Sequence, residues 1–221
     1  QGAGFDSDVI AAIDRAIAGP PTAAVNRELV DAAVAARPSI SREQAEAVRS
    51  ITTTSASVAV LIGHAGTGKT FALDAAGEAW HNAGLRPTGV ALAGRAAAEF
   101  QAGSGIASQT IASFLKELDE GRRLTDRDVL LCDEAGMVGT RDLHRLLVAT
   151  TRAGAKLVLV GGLLSGFFGG LSGHQGALRS AFLLRAGMTK EQLVGTRAAC
   201  AVVVDLSRLL VYGLTFMGAE W

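Results

Sequence analysis

At residues 58–70 the chain reads VAVLIGHAGTGKT. An apolar run typical of a buried strand passes through three glycines and ends in Lys69 and Thr70. Glycines permit positive φ, so successive backbone N–H groups can turn toward one anion. A following helix, predicted here over residues 71–83, points the positive end of its dipole at the same anion. The spacing G-x-x-x-x-G-K-T therefore predicts a loop that binds nucleotide phosphates, and the alternative is a chance glycine-rich turn.

The chemistry of this loop predicts ATP and Mg²⁺ as cofactors. Lys69 is expected to contact the β and γ phosphates as a catalytic residue, and the Thr70 hydroxyl is expected to hold the magnesium ion. The residues predicted to bind the nucleotide in this loop are Gly63, Ala65, Gly66, Thr67, Gly68, Lys69 and Thr70.

A pair of acids supplies the second half of the predicted site. Residues 128–132 read DVLLC, a buried strand pattern that ends directly in Asp133 and Glu134. Ligands of α/β sheets bind at the carboxyl ends of the strands, where the phosphate loop also opens. Asp133 is expected to hold magnesium through its water shell, and Glu134 to orient and polarise the attacking water. A solvated acid pair at a strand end is the structural alternative.

Strand and helix patterns alternate along the chain. Strands are predicted at residues 57–62, 86–92, 128–132 and 156–160, and helices at 5–18, 22–36, 41–51, 71–83, 94–100, 110–118 and 140–152. Ser41 and Gln44 have the S-x-x-Q spacing of a capping box. The alternation predicts an α/β fold with a doubly wound parallel sheet.

The composition of the 221-residue chain is uneven. Its net charge is zero, which argues neither for nor against a nucleic-acid partner. Two cysteines make neither a disulfide framework nor a zinc site, and they favour a reducing, cytosolic setting. The chain begins at Gln1 rather than methionine, which predicts a fragment. The last 61 residues hold eight charged residues, whereas the first 160 hold 34.

Five segments together carry a family resemblance. They are SREQAEAV at 41–48, GHAGTGKT at 63–70, LAGRAA at 92–97, QTIASFL at 109–115 and CDEAGMV at 132–138. Over residues 39–160 the chain resembles the first motor domain of superfamily 1 DNA helicases, most closely the RecD-like helicase part of conjugative relaxases (the TraI or MobF type). The resemblance implies a RecA-like P-loop NTPase sheet, here incomplete, in a bacterial cytoplasmic protein that couples ATP hydrolysis to movement on single-stranded DNA.

The resemblance also implies roles for residues outside the loop. Gln44 would contact the adenine edge, although its capping box needs only a backbone contact. Arg95 would contact a DNA phosphate, although an exposed arginine at a helix start is an equal alternative. Thr110 and Ile111 resemble the segment behind the DNA track, where packing is the favoured expectation.

The chain departs from this family after LVLVG at 157–161. The family continues with an aspartate and then a glutamine-leucine-proline, whereas GLLS occupies 162–165 here. No arginine finger or second motor domain is recognisable downstream, so hydrolysis is expected to be slow and unwinding absent.

The segment 161–221 differs in character from the rest. It is apolar and broken by glycines, and residues 157–173 carry no charge, which falls just short of the ~20 residues of a membrane span. It resembles part of the TauE/SafE sulfite-exporter-like permeases, which implies a mainly helical segment and possible membrane contact; a pair of soluble core helices is the alternative. The predicted organisation is a helical lead-in at 1–38, a motor domain at 39–160 and this segment at 161–221.

Three other interpretations compete with the motor-domain prediction. A phosphate-loop ATPase of another class, such as a nucleotide kinase, would need an arginine-rich lid that the sequence lacks. A membrane-anchored module could bind nucleotide without turnover. The chain could also join a motor domain to a transporter fragment.

Overall fold

The computed structural model describes residues 23–63 and 66–162. In chain order its elements are α1 (Arg27–Ala35), α2 (Arg42–Thr53), β1 (Val58–Gly63), α3 (Lys69–Asn82), β2 (Arg86–Ala91), α4 (Gly94–Ser104), β3 (Ser108–Thr110), α5 (Ile111–Asp119), β4 (Asp128–Cys132), a 3₁₀ turn (Ala135–Met137), α6 (Thr140–Ala153) and β5 (Lys156–Gly162). The helix predicted at 5–18 and nearly all of the segment 161–221 lie outside the described residues.

The five strands form one sheet in the order β1-β5-β4-β2-β3. Every neighbouring pair is parallel, which confirms the predicted α/β fold with a parallel sheet. Val158 of β5 lies opposite Ala59 of β1 on one side and Leu131 of β4 on the other. The carboxyl ends of β1 and β4 therefore reach the same edge of the sheet on either side of β5.

Helices cover both faces of the sheet, and the side chains of β4 alternate between the two layers. Val129 and Leu131 join the core beneath α1, α2 and α3, whereas Leu130 and Cys132 join the core beneath α5 and α6. All five residues of β4 are buried. Strands covered on both faces read as continuous apolar runs, which explains the DVLLC pattern.

Helix α1 packs into the first of these cores. Val30 and Ala33 are fully buried there. Just after the helix, Arg37 donates hydrogen bonds of 2.7 Å to Asp74 and Glu78 of α3. Although α1 falls in the predicted lead-in at 1–38, it therefore belongs to the same packed layer as the helix of the phosphate loop. The boundary at residue 38 itself stays a prediction.

The clearest differences from the predictions concern four elements. Helix α1 begins at Arg27 rather than at residue 22, because the Asn26 side chain caps it by accepting a hydrogen bond from the N–H of Glu28. The short strand β3 was not predicted because its residues, Ser-Gln-Thr, make no apolar run. Helix α3 begins at Lys69 rather than 71, since the loop leads directly into the first helical turn. Helix α4 continues past the predicted end at 100 to Ser104 and stops at Gly105, whose φ of 67° suits a glycine C-cap.

The described helices give no sign of a membrane segment. Across residues 23–63 and 66–162, none of them combines the length and apolar character that a bilayer crossing requires. The predicted membrane contact concerns residues 161–221 and stays a prediction.

Candidate nucleotide-binding site

Three glycines shape the predicted phosphate loop. Gly66 and Gly68 have φ values of 79° and 71°, in the left-handed region. A Cβ atom on Gly63 would lie 2.8 Å from Thr67 Oγ1, and one on Gly68 would lie 2.5 Å from Gln44 Nε2. A side chain at Gly63 or Gly68 would have to displace the end of the Thr67 or Gln44 side chain, and the positive φ values of Gly66 and Gly68 are a conformation that favours glycine. Ala65 lies outside the described residues.

Lys69 and Thr70 form the start of α3. The Lys69 side chain folds back over Gly63 and donates to its carbonyl oxygen at 2.9 Å. Among the described residues, no side chain caps the N-terminus of α3. The N–H groups of the first turn therefore face the loop and can bind an anion. Lys69 and Thr70 are both half-buried.

Gln44 connects α2 to this loop. Its Oε1 accepts from the backbone N–H of Ser41 at 2.9 Å, and the Ser41 hydroxyl accepts from the N–H of Gln44 at 3.1 Å. The predicted capping box is thus confirmed. The Nε2 of Gln44 also donates to the carbonyl oxygen of Thr67 at 2.8 Å. One amide side chain therefore caps α2 and contacts the phosphate loop, and its predicted contact with adenine stays a prediction.

The acid pair follows β4 directly. The N–H of Asp133 donates to the carbonyl oxygen of Val90 at 2.9 Å, which continues the pairing with β2 beyond the strand. Glu134 has φ 45° and ψ 41° and is the only non-glycine residue of the described chain with positive φ. This conformation costs roughly 1 kcal/mol or more and is common at functional sites. Glu134 is exposed, whereas Asp133 is half-buried.

The electrostatics link the acid pair to the phosphate loop. Burial raises the pKa of Asp133, and the charge of Glu134 raises it further. The backbone N–H of Glu134 and the charge of Lys69 oppose this rise. The charge of Lys69 therefore acts on Asp133, and the loop and the acid pair lie at the same edge of the sheet. The neighbouring Cys132 thiol has a pKa raised to about 12 by burial and stays protonated at neutral pH.

An open groove of about 670 Å³ lies beside β3, between α4 and the start of α5. The residues that line it are uncharged and include Ala98, Gln101, Gln109 and Thr110. Arg95 lies in the first turn of α4, where its exposed side chain forms a 2.7 Å ion pair with Glu99. Ile111 is buried, which confirms the expectation that it packs. A DNA contact of Arg95 stays a prediction.

One contact at the predicted metal residue was not found from the sequence. Gly103, in the last turn of α4, lies against Thr70, so that a Cβ atom on Gly103 would be 3.1 Å from Thr70 Cβ. A glycine inside a helical pattern is a signal of close packing, but the sequence does not identify its neighbour.

Comparisons with known proteins agree with this geometry. The chain is 43% identical over 138 residues to the probable conjugal transfer protein TraA of Sinorhizobium fredii, an alignment that covers 62% of this chain and 12% of the relative. It is 40% identical over 141 residues to the conjugal transfer protein TraA of Agrobacterium fabrum, which covers 63% of this chain and 13% of that protein. The chain thus spans about one eighth of the length of these relatives.

A domain family also matches the region that holds the loop, the acid pair and all five strands. The match to the AAA domain family covers residues 39–163, more than half of the chain. It ends where the apolar segment begins, and the resemblance of 161–221 to permeases stays a prediction. The P-loop geometry at the edge of a parallel sheet and this match together show that the chain belongs to the AAA domain family.

Proposed function

We propose that the region from residue 39 to the end of β5 binds ATP with Mg²⁺ and hydrolyses it as the first motor domain of a DNA helicase in a conjugal transfer protein. One observation carries the proposal. The phosphate loop and the acid pair open at the same edge of the sheet, where the charge of Lys69 opposes the raised pKa of Asp133. The likeness to the TraA proteins supports the conjugal transfer context.

In this proposal each residue acts on a different part of the nucleotide. The loop N–H groups and the Lys69 ammonium bind the phosphates, and Gln44 contacts the adenine. Magnesium, when bound, would neutralise charge on the phosphates, and the Thr70 hydroxyl and the Asp133 carboxylate would hold it. Glu134 would orient and polarise the attacking water, which its exposed position and unusual backbone conformation support.

Two variants separate ATP binding from hydrolysis. Lys69→Ala removes charge-assisted hydrogen bonds and should weaken ATP binding roughly 10-fold to 100-fold. Glu134→Gln keeps the shape and should leave ATP affinity nearly unchanged while turnover falls roughly 100-fold or more. Calorimetric titration and phosphate release measure the two effects. Unchanged affinity in Lys69→Ala would refute the site, and stoichiometric binding without turnover in the unaltered protein would indicate a nucleotide-binding module instead.

We further propose that single-stranded DNA follows the groove between α4 and α5, with Arg95 at its rim. The groove is open, and the residues that line it run from Gly94, at the start of α4, to Gly105, just after its end. Its uncharged lining leaves phosphate attraction to side chains at the rim, and Arg95 is exposed there. Each such contact contributes to a salt-dependent affinity.

A matched pair of variants tests the DNA track. Arg95→Ala should weaken binding of a fluorescent oligothymidylate. It should also reduce the slope of log affinity against log salt concentration by about 1. Arg27→Ala is the control, since Arg27 is also an exposed helix arginine with an acidic partner four residues on, Asp31. Equal effects of the two substitutions would show that Arg95 contributes only general charge.

A further inference from the structure

Helix α4 packs against the phosphate-loop helix α3 at Gly103, where no side chain separates the two helices. Gly103 lies in the last turn of α4, and the three atoms nearest to a Cβ placed there all belong to Thr70: Cβ at 3.1 Å, Cγ2 at 3.3 Å and Oγ1 at 3.4 Å. Distances of this size lie below ordinary van der Waals contact, so a methyl group at position 103 would force Thr70 or its helix to move.

Backbone conformation does not explain this glycine. Gly103 is not among the described glycines with positive φ, and it lies inside a regular helix. Glycine in a helix interior is less stable than alanine by roughly 0.5–1 kcal/mol. Gly103 therefore leaves room for the Thr70 side chain.

The nearest atom decides what a side chain at position 103 would do. Thr70 Cβ is fixed by the backbone of α3, so rotation about χ1 cannot remove the 3.1 Å contact. Relief requires that α3 and α4 separate or that the first turn of α3 shifts by a few tenths of an ångström. A shift of the first turn of α3 displaces the Thr70 hydroxyl relative to Asp133.

We propose that Gly103 is a positioning residue for the magnesium-holding hydroxyl of Thr70. This inference rests on the proposed function, because it gives Thr70 the role of metal ligand there. Gly103 touches neither the nucleotide nor the metal in this arrangement. It acts by allowing α4 to pack directly on α3 while Thr70 keeps the position that its hydroxyl needs.

The test measures how much Mg²⁺ strengthens the binding of a non-hydrolysable ATP analogue. Affinity is determined with Mg²⁺ and with a chelator for the unaltered protein, Gly103→Ala, Thr70→Ser and the double variant. In Gly103→Ala the strengthening by Mg²⁺ should fall about tenfold, since a misplacement of 1 Å can cost ~100-fold in catalysis and the shift here is a few tenths of an ångström, whereas affinity in chelator should change much less. Thr70→Ser keeps the hydroxyl and the 3.1 Å contact at Cβ and removes only the contact at Cγ2, so the double variant should keep most of the loss.

The control is Gly139→Ala, because a Cβ atom at Gly139 meets nothing within 4 Å. Thermal melts should show that Gly103→Ala folds, since alanine favours a helix. The inference is overturned if Gly103→Ala keeps the full effect of Mg²⁺, or if it loses the same affinity in chelator, which would indicate a general distortion of the loop. Absence of any Mg²⁺ effect in the unaltered protein would instead refute the magnesium site of the proposed function itself.

Discussion

At the scale of single residues, Gln44 shows how one side chain can serve two structures. Its carbonyl oxygen completes the cap of α2, while its amide nitrogen bonds the carbonyl oxygen of Thr67 in the phosphate loop. The capping box was predictable because its partners lie three residues apart. The bond to the loop joins residues 23 positions apart, and sequence spacing carries no information about it.

The first prediction separates these two contacts. Gln44→Glu keeps the acceptor for the cap but replaces the donor to Thr67 with a carboxylate oxygen. We expect the affinities for ATP and GTP to fall by about tenfold or more. The fall should be larger for ATP if the second N–H of the Gln44 amide, which the substitution also removes, contacts adenine. Ser41→Ala is the control, because it should lower the free energy of unfolding by about 1 kcal/mol with little effect on affinity. An unchanged GTP affinity in Gln44→Glu would contradict the role of the loop contact.

Asp133 gives a second prediction, in which stability and function change in opposite directions. Burial holds its folded-state pKa above the ordinary value of 3.8, so the folded protein binds its proton more tightly than the unfolded chain does. The free energy of unfolding therefore falls as pH rises from about 3.8 through the raised pKa, and the ionised carboxylate destabilises the fold at neutral pH. Asp133→Asn should raise the melting temperature at pH 7 and abolish the effect of Mg²⁺ on ATP affinity.

The control for this experiment lies at the other end of β4. Asp128 accepts hydrogen bonds from the N–H and hydroxyl of Thr125 and pairs with Arg86. Asp128→Asn should therefore lower the free energy of unfolding by about 1 kcal/mol. Melting curves across pH 4 to 8 compare the two variants. A lower melting temperature for Asp133→Asn at pH 7 would show that the carboxylate is stabilised rather than strained by its surroundings.

At the scale of elements, the accuracy of the sequence predictions follows the kind of signal each element carries. Strand β4 was predicted with its observed bounds because burial on both faces makes its whole length apolar. Strand β3 was missed because three polar residues depend on their partners Gly89, Val90 and Ala91 rather than on their own pattern. The motif residues of the candidate site were likewise predicted from local spacing, whereas the contact of Gly103 with Thr70 depends on helix packing.

The contacts of Lys156 are also long-range, and the local sequence around it did not indicate them. It occupies the first position of β5, is fully buried, and donates to the carbonyl oxygens of Ile51 and Thr54 at the end of α2. The negative end of the helix dipole and these two oxygens offset part of the cost of a buried charge. The lysine therefore joins the end of α2 to the amino end of β5, at the edge of the sheet opposite the phosphate loop.

This contact predicts a stability that rises at alkaline pH. Burial lowers the pKa of Lys156 from 10.5 to about 8, so between these values the folded protein has released a proton that the unfolded chain retains. The free energy of unfolding should rise by about 3 kcal/mol between pH 8 and pH 10.5. Urea unfolding should show that Lys156→Met lacks this rise. Lys116→Met, at an exposed ion pair with Glu120, should keep it, and a rise of equal size in both variants would assign the effect to other groups.

At the scale of the whole molecule, the sheet order settles which strand the segment beyond residue 162 could affect. Strand β5 lies between β1 and β4, with six residues paired to β1, so it is an interior strand rather than an exposed edge. Within residues 23–63 and 66–162, the edges are β1 and β3. A further strand supplied from outside the described residues would have to pair beside one of these two.

The last prediction follows from this order. If the segment 163–221 is membrane-derived, as we predict from its apolar composition, it makes no part of the sheet. A chain ending at residue 162 should then melt cooperatively within a few degrees of the full chain and bind ATP with the same affinity, because β1, β5 and β4 keep all their mutual pairs. It should also aggregate less, since it lacks an apolar segment that water solvates poorly. Calorimetry, ATP titration and light scattering in detergent-free buffer compare the two chains. If the segment instead pairs with β1, the shorter chain will expose a six-residue apolar edge strand, and its cooperative melt will be lost or its aggregation increased.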